Sequence, residues 1–481
     1  MSVLAVDLGG TGLRAALVGP DGDLGPIAVE PGVGDTGEVD PETWWAALES
    51  ALAQLAQGAD LGAAKAVAIT GFTRTQVFLD AGGRPVRPAI TWRDARAGAL
   101  AAAEGLDHPE GAQLNAFHPV ARLMWLQAQE PEVLARVATV LEPKDFLNHR
   151  LTGRAVTDTV SSARLLAAAR PHEGRSLIEA LGLPMHLVPE ALVPGEGIAA
   201  VRPDLPPPFD RLAGRPVVAV GNDTWAAVLG LGALRDGFGY NISGTTEVFG
   251  TVWDRPAAAP GLLSVDWGPG LHQLGGPSQN GGDTLVWGLG LLGRSDPVGP
   301  ALDALLAAPR DRQPLLFLPY LQGERTPHWN PDLRGAFLGL NRRHGAADAA
   351  VAILEGIAFL NRTVLERAEA ALGRRVAEIR IGGGGAGNAA WRQIKADVCE
   401  RPVVATACPE PGLLGCALAA RSALGDFPTL AAAQVALARP AARHEPDPDR
   451  RARYRRLFAL FGRAEEAVAP LSAALARFPE E

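Results

Sequence analysis

At 481 residues and 47% hydrophobic content, the chain can bury large cores and is expected to divide into at least two domains. A net charge of -8 and a pI near 5.7 argue against a general nucleic-acid-binding protein, which needs clustered Lys and Arg. The three cysteines form no CxxC pair, so neither a disulfide framework nor a zinc or iron–sulfur site is indicated.

The N-terminal stretch shows no targeting features. It runs straight into a strand-like segment at residues 3–6, without the basic region and the long apolar region of a signal peptide. No apolar run is long enough to span a bilayer, since the stretch at residues 350–360 is interrupted by Glu355. We therefore expect a cytoplasmic protein with no membrane partner.

Residues 3–24, VLAVDLGGTGLRAALVGPDGDL, predict a strand, a Gly-rich turn, a second strand and a hairpin turn. Asp7 lies at the end of the first strand. Gly10 and its neighbouring glycines let the backbone approach a ligand closely, while Thr11 and Arg14 can donate to phosphate oxygens. The chain then enters a strand and lacks GKS or GKT, which argues against a Rossmann dinucleotide site and a P-loop. An ordinary tight hairpin, with Asp7 as a turn residue, is the alternative.

Residues 64–70 predict a buried strand that leads into a hairpin in which Arg74 is the unusual residue. Farther on, PAITWRDAR places Trp92 and Asp94 in a polar loop after a short strand. A surface salt-bridge loop is the alternative for this charge cluster. Residues 100–187 are mostly helical by pattern.

Residues 217–232, VVAVGNDTWAAVLGLG, predict a buried strand, a sharp turn and a helix. Asp223 lies at the turn, near a strand end and a helix N-terminus, where functional residues of α/β sheets commonly lie. The alternative is that Asp223 or Asn222 only caps the helix that starts near Trp225.

Residues 237–252 repeat the opening pattern of strand, Gly-Thr-Thr turn and strand, with Gly244 and Thr245 in the turn. Two such hairpins favour a duplicated domain that closes on a phosphate chain. Residues 377–399 predict a strand, the turn GGGGAGN and a helix, which offers bare backbone and a helix dipole to a flat or charged ligand. A long amphipathic helix at residues 346–372 and a helical C-terminal segment complete the chain.

In their order and spacing, these motifs resemble the FGGY carbohydrate kinases of the actin, hexokinase and Hsp70 superfamily, and among them the xylulokinases most. DLGGTGLR and SGTTEV are similar to the family's two phosphate motifs, VGNDTWAAVLGLG to its catalytic-aspartate motif and GGGGAGNAAWRQIKADV to its nucleotide motif. GERTPHWNPDLRGAFLGL, followed by LEGIAF, is similar to the xylulokinase signature region. FHPVARLMWLQ is similar to the other family signature, with Arg122 where Lys is usual.

The resemblance covers nearly the whole chain and implies an α/β fold. Two RNase H-like domains of the actin/hexokinase/Hsp70 type are expected, with sugar and ATP in a deep interdomain cleft. Residues 1–236 would form an N-terminal domain that binds the sugar and carries the catalytic aspartate, and residues 237–481 a C-terminal domain that binds the nucleotide. The implied reaction transfers the γ-phosphoryl group of ATP to a hydroxyl of a ketose such as D-xylulose.

By the same resemblance, Asp223 matches the general base that accepts the proton of the attacking hydroxyl, and Asp7 matches the residue associated with Mg²⁺. The positions expected to contact the nucleotide and its phosphates are Gly10, Thr11, Arg14, Gly244, Thr245, Gly282, Gly385 and Asn388. The positions expected to contact the sugar are Thr73, Arg74, Trp92, Asp94, Asn222 and Asp223. The expected cofactors are ATP and Mg²⁺; the expected partners are the sugar and ATP, with no nucleic acid, and a homodimer stays open.

Two departures from the family pattern bear on the substrate. Phe72, Thr73 and Arg74 stand where xylulokinases usually have Gln-Met-His. In the second phosphate motif, Thr246 and Glu247 stand where Ser-Gly is usual. Arg74 would favour paired acceptors such as vicinal hydroxyls or a carboxylate, unless it pairs with an acid such as Glu247. A kinase of another sugar, polyol or sugar acid, of the gluconate, glycerol or fuculose type, and a non-catalytic sugar- or ATP-binding protein are the alternatives.

Overall fold

The computed structural model describes residues 1–32, 36–101, 107–268, 270–294, 297–311 and 313–478. Its strands, in chain order, are β1 (Ser2–Gly9), β2 (Gly12–Val18), β3 (Ala28–Pro31), β4 (Glu38–Val39), β5 (Ala64–Gly71), β6 (Val77–Leu79), β7 (Ala89–Ile90), β8 (Thr139–Leu141), β9 (Val156–Asp158), β10 (Glu190–Leu192), β11 (Gly197–Ala200), β12 (Pro216–Val218), β13 (Phe238–Ser243), β14 (Glu247–Trp253), β15 (Leu263–Asp266), β16 (His272–Pro277), β17 (Leu316–Leu318), β18 (Ala336–Leu338), β19 (Ile379–Gly382), β20 (Val403–Thr406) and β21 (Pro440–His444).

The α-helices, in chain order, are α1 (Pro41–Leu55), α2 (Gly98–Ala101), α3 (Pro119–Gln129), α4 (Pro131–Leu134), α5 (Pro143–Thr152), α6 (Ala163–Ala169), α7 (Leu177–Ala180), α8 (Asp223–Gly230), α9 (Gly282–Leu291), α10 (Val298–Ala307), α11 (Ala346–Leu372), α12 (Ala389–Cys399), α13 (Pro411–Ala423), α14 (Leu430–Leu437) and α15 (Pro448–Ala476). Within the ranges given above, none of these helices has the length and apolar character needed to cross a membrane.

The chain forms two compact units, and each contains one large sheet. The first unit comprises Met1–Gly230 and Pro411–Ala438, and the second comprises Leu231–Glu410 and Arg439–Glu481. The sequence predicts two domains that are each one continuous stretch of chain, with the boundary after residue 236. In the structure, the chain instead returns to the first unit through α13 and α14 before it ends in the second.

Close packing of α13 on α8 explains this return. A Cβ added to Gly415 would lie 1.8 Å from the carbonyl oxygen of Ala226, and one added to Gly230 would lie 1.9 Å from the carbonyl oxygen of Pro411. Only glycine lets two backbones approach this closely. The residues of α13 are almost all buried, so the helix belongs to the core of the first unit.

The six-stranded sheet of the first unit has the order β11-β12-β5-β1-β2-β3. Strand β1 pairs antiparallel with β2 and parallel with β5, and β5 pairs parallel with β12. The buried Val, Leu, Ile and Ala side chains of β1 and β5 suit strands that are covered on both faces. The carboxyl ends of the three parallel strands therefore meet at one edge, where α/β sheets place their ligands.

The seven-stranded sheet of the second unit repeats this pattern in the order β15-β16-β14-β13-β19-β20-β21. Strand β13 pairs antiparallel with β14 and parallel with β19, which pairs parallel with β20. The second strand-turn-strand motif and the Gly-rich turn before α12 thus lie in the elements that the sequence predicts. Helix α11 occupies the predicted residues 346–372, and Gly373 ends it in the left-handed conformation, with φ at 63°.

Some short strands lie where the sequence predicts helix. Strands β8 and β9 fall within residues 100–187, and β21 lies in the C-terminal segment. These strands have three, three and five residues, too few to establish an alternating pattern. They are stabilised by pairing with strands elsewhere in the chain, namely β6, β10 and β20.

Candidate active site

The turn between β12 and α8 places Asp223 in the first turn of the helix. Asn222 Oδ1 accepts a hydrogen bond from the backbone N–H of Trp225 at 2.9 Å, so Asn222 caps α8 and Asp223 is left for another role. The hydroxyl of Thr70, near the end of β5, donates to the carbonyl oxygen of Gly221 at 2.8 Å. This buried bond ties the turn to the edge of the sheet.

The Asp223 carboxylate is half-buried and oriented by one neighbour. Its Oδ1 accepts from the backbone N–H of Thr224 at 2.6 Å and from the Thr224 hydroxyl at 3.2 Å. Burial raises the pKa of Asp223, and the two bonds from Thr224 oppose that rise. A fixed carboxylate with an increased affinity for protons has the properties of a general base.

The β1–β2 hairpin brings Asp7 to the same edge of the sheet. In the sheet register, Asp7 lies opposite Arg14 on β2 and opposite Thr70 on β5. A Cβ added to Gly412, in the first turn of α13, would lie 2.4 Å from Asp7 Oδ2. The N-terminal turn of α13 therefore rests against the carboxylate, where its partial positive charge favours an anion.

The tip of this hairpin is partly exposed. The side chain of Thr11 is accessible to solvent, and a Cβ added to Gly10 would lie 3.6 Å from Nε1 of Trp92. The structure thus brings a residue of the predicted phosphate turn next to a residue predicted to contact the sugar.

The sequence predicts a hairpin here, but β5 and β6 lie in different sheets, and the connection between them carries Thr73, which is half-buried, and Arg74, which is exposed. The segment behind them is held by Glu142, whose carboxyl oxygens accept from the backbone N–H of Thr75 at 3.3 Å and from the Gln76 amide at 3.4 Å. Burial raises the pKa of Glu142 to about 8, so this group carries a proton through much of the neutral range.

Arg122 on α3 joins the two loops that were predicted to contact the sugar. Its Nη1 donates to the carbonyl oxygen of Arg74 and to the side chain of Gln76. Its Nη2 donates to the carbonyl oxygens of Thr91 at 2.6 Å and Asp94 at 3.4 Å. Burial lowers the pKa of Arg122 to about 10, which still leaves it charged at neutral pH. Sequence reasoning noted Arg122 only as a replacement for Lys, because its partners lie 28 to 48 residues away.

Asp94 and Trp92 differ in how they are held. The Asp94 carboxylate forms an ion pair with Arg96 at 2.6 Å, and Arg96 also pairs with Glu38 at 2.6 Å. The salt-bridge alternative therefore describes the Asp94 side chain. The backbone N–H of Trp92 donates to the Thr75 hydroxyl at 3.1 Å, which places the indole beside the Gly-rich turn.

In the second unit, two backbone segments approach the turn that contains Gly244 and Thr245. The N–H groups of Gly282 and of the residue after it donate to the carbonyl oxygens of Gly244 and Thr245, at 2.9 and 3.0 Å. A Cβ added to Gly385 would lie 2.1 Å from Oγ of Ser243, so a bare backbone is required there. These four predicted positions are therefore neighbours in the second unit.

Two further polar residues of the second unit have structural partners. Asn388 caps α12 by accepting from the N–H of Trp391 at 2.9 Å, and its amide donates to Asp303 at 2.8 Å. Glu247, the suggested partner of Arg74, is fully buried and receives hydrogen bonds within its own unit. The donors to Glu247 are the side chains of Asn241, Ser243, Asn361 and Lys395.

We expect Gly412→Ala to destabilise the first unit by about 1–3 kcal/mol, because the added methyl group would overlap the Asp7 carboxylate and force α13 or Asp7 to shift. Thermal unfolding of the purified variant measures the loss. Gly462→Ala, in the middle of α15 with nothing within 4 Å of the added Cβ, is the matched control and should gain about 0.5–1 kcal/mol. Equal shifts for both variants would show that α13 does not press on Asp7.

Residues 2–230 match the N-terminal domain of the FGGY family of carbohydrate kinases, and residues 239–424 match its C-terminal domain. The chain is 30% identical over 410 residues to the xylulose kinase of Escherichia coli (strain K12), across 82% of this chain and 84% of that protein. It is 31% identical over 500 residues to the glycerol kinase of Dechloromonas aromatica (strain RCB), across 96% and 97%.

A solved structure agrees with these sequence matches. The crystal structure of xylulose kinase from Rhodospirillum rubrum is similar with a TM-score of 0.84 and 27% identity, covering 98% of this chain and 100% of that chain. The two sheets, the two Gly-Thr hairpins and the aspartate turn are thus those of the actin/hexokinase-like α/β fold predicted from the sequence. The chain belongs to the FGGY family of carbohydrate kinases.

Proposed function

We propose that this carbohydrate kinase transfers the γ-phosphoryl group of ATP to a hydroxyl of a ketose such as D-xylulose. The observation that carries the proposal is the half-buried Asp223 carboxylate, fixed in the first turn of α8 and raised in pKa. The identity to a xylulose kinase supports a ketose as acceptor, while that to a glycerol kinase makes the acceptor a question for experiment.

Asp223 is the proposed general base. Both bonds from Thr224 go to Oδ1, which leaves Oδ2 to accept the proton of the attacking hydroxyl. Asn222, Thr73 and Trp92 lie on the neighbouring loops of the first unit, and we assign them to sugar binding. Most of the remaining catalysis comes from positioning and from stabilisation of the charge on the transferred group.

The Gly-Thr turns are the proposed phosphate-binding elements. Gly10, Thr11 and Arg14 of the first unit and Gly244 and Thr245 of the second offer backbone N–H groups, hydroxyls and a guanidinium. Donors of these kinds suit phosphate oxygens.

The nucleoside part of ATP is assigned to the second unit. Gly282 and Gly385 let their backbones pack closely against the segment of Ser243 and Gly244, because a Cβ added to either glycine would overlap that segment. Asn388 orders the start of α12, whose N-terminal dipole favours negative charge.

Asp7 is the residue that would hold Mg²⁺. Among the residues described, no group of three or more His, Cys, Asp or Glu side chains could form a metal cage. A Mg²⁺ ion that is bound mainly by phosphate oxygens and waters needs only one or two carboxylates, so a single Asp7 beside the phosphate turn fits it. When bound, the ion would neutralise charge on the phosphate oxygens.

We expect Asp7→Asn to raise the Mg²⁺ concentration needed for half-maximal turnover and to lower kcat by about 10²-fold, since an amide is a poorer ligand for a hard cation. The KM for the sugar should change little. Initial rates measured across a Mg²⁺ titration at saturating ATP and sugar test this. A loss of sugar affinity with unchanged Mg²⁺ dependence would contradict the role given to Asp7.

The function itself is tested by a coupled ADP-release assay with ketoses, aldoses, polyols and sugar acids as acceptors. ADP release that depends on one acceptor class supports the kinase and identifies its substrate. Binding of sugar and ATP without ADP release would favour a non-catalytic binding protein of the same fold. We also propose a cytoplasmic location, with which the buried thiols of Cys399 and Cys416 are compatible, and light scattering decides whether the chain forms a homodimer.

A further inference from the structure

Arg74 is a cation in the region assigned to sugar binding. Its side chain is exposed, and within the part of the chain that the structure describes its guanidinium forms no hydrogen bond or ion pair. Burial nevertheless lowers the pKa of Arg74, and the charge of Arg164 acts in the same direction. An exposed cation that has no counter-charge among the described residues is available to an anionic ligand that enters from solvent.

The carboxylates of this region are already bound to other groups. Glu110 accepts from Arg164 at 2.9 Å, and Asp94 pairs with Arg96 at 2.6 Å. Glu142, the acid whose charge acts on the guanidinium of Arg74, is buried and raised in pKa to about 8. Of these acids, all in the part of the chain that the structure describes, none is a free carboxylate that neutralises the cation.

The backbone holds Arg74 in an uncommon conformation. Its φ is 58°, in the left-handed region that residues with a side chain rarely adopt. Arg122 donates to its carbonyl oxygen, and the next residue, Thr75, donates its N–H to Glu142. Strain of this kind persists where the surrounding structure fixes it, as these two bonds do here.

We propose that the acceptor of this kinase is a sugar acid and that Arg74 binds its carboxylate. The inference rests on the kinase activity of the proposed function and concerns the same site, but it replaces the ketose with a sugar acid as the acceptor. A guanidinium presents a planar fork that matches the two oxygens of a carboxylate. One unpaired cation balances the single negative charge of a carboxylate, whereas a phosphate group would bring about two.

The experiment compares sugar acids with the alditols that carry CH₂OH in place of the carboxylate. Binding of D-xylonate and xylitol, of D-gluconate and D-glucitol, and of D-xylulose is measured by isothermal titration calorimetry, and turnover of each by ADP release. At least one acid should bind about 10- to 100-fold more tightly than its alditol, the range of a charge-assisted hydrogen bond. The Kd of the acid, but not that of the alditol, should rise with ionic strength.

Variants at Arg74 assign the effect to its charge and shape. Arg74→Gln should abolish the preference for the acid and leave the KM for ATP unchanged. Arg74→Lys keeps the charge but lacks the planar fork, so it should retain only part of the preference for the acid. If Arg74→Gln folds poorly, Arg74→Gly serves in its place, because glycine adopts the left-handed backbone without strain. That variant shows the effect of losing the charge without the effect of backbone strain. Arg84→Gln, in the turn that follows β6 and with a side chain 83% exposed, is the matched control and should behave like the unmodified protein.

Each outcome supports or overturns the assignment. Acids that bind no better than their alditols, or an acid preference that survives Arg74→Gln, would overturn it. ADP release with D-xylulose in preference to every acid would reject the sugar acid and keep the kinase. An acid that binds through Arg74 while no compound releases ADP would support the assignment and count against the proposed function.

Discussion

Asp223→Asn should lower kcat by about 10²- to 10⁴-fold while the fold and the affinity for ATP are kept, because the variant loses a general base and little else. The amide oxygen of Asn can still accept both bonds from Thr224, so the turn before α8 should retain its geometry. ADP release at saturating sugar and ATP gives kcat, and circular dichroism checks the fold.

The pH dependence gives an independent readout of the same residue. A general base acts in its deprotonated form, so activity falls as the pH drops through the pKa that Asp223 has in the folded protein. Burial raises this pKa, so the acidic limb of the kcat/KM profile should lie above the usual range of an aspartate, about 3.9. The limb should be absent from the residual activity of Asp223→Asn.

Asp40→Asn provides a matched control at another helix start. Asp40 caps α1 by accepting from the N–H of Glu42 at 3.0 Å, and Asn caps a helix about as well as Asp. This variant should keep normal turnover. Near-normal turnover in Asp223→Asn as well would remove the general base from the proposed mechanism.

The aspartate turn shows how much local patterns determine. The strand, the turn and the helix around Asp223 are each determined by residues that are close in the sequence: a β-branched run, Gly-Asn-Asp-Thr and an apolar segment. All three elements could therefore be predicted. Whether Asn222 or Asp223 caps the helix could not be predicted, because both residue types are good caps. The bond from Trp225 to Asn222 decides this, and it depends on the angle at which the chain leaves β12.

Features that depend on distant residues were not accessible from the sequence. Arg122 connects loops 28 to 48 residues away, and Gly412 meets Asp7 across almost the whole chain. Neither contact produces a periodic pattern in the sequence from which it could be predicted. The return of α13 to the first unit has the same origin, since it depends on where the backbone of Gly415 meets α8.

Lys395→Met should lower the free energy of unfolding of the second unit by about 3–5 kcal/mol, because it leaves the buried charge of Glu247 without its counterion. Ser243, which also donates to Glu247, directly precedes the Gly244 turn, so the KM for ATP should rise as well. Denaturant unfolding followed by tryptophan fluorescence measures the stability, and ADP release measures the KM.

The chain offers a matched control for this charge. It has three lysines, of which Lys144 and Lys395 are buried in ion pairs, while Lys65 on β5 is exposed. Lys65→Met should change stability by no more than about 0.5 kcal/mol. The double variant Lys395→Met with Glu247→Gln removes both charges and should recover part of the loss, since an uncharged pair has no buried ion to solvate. Lys395→Met that is as stable as the unmodified protein would show that the buried pair does not hold the Gly244 turn in place. The binding of phosphate at this turn would then depend on the backbone contacts from Gly282 alone.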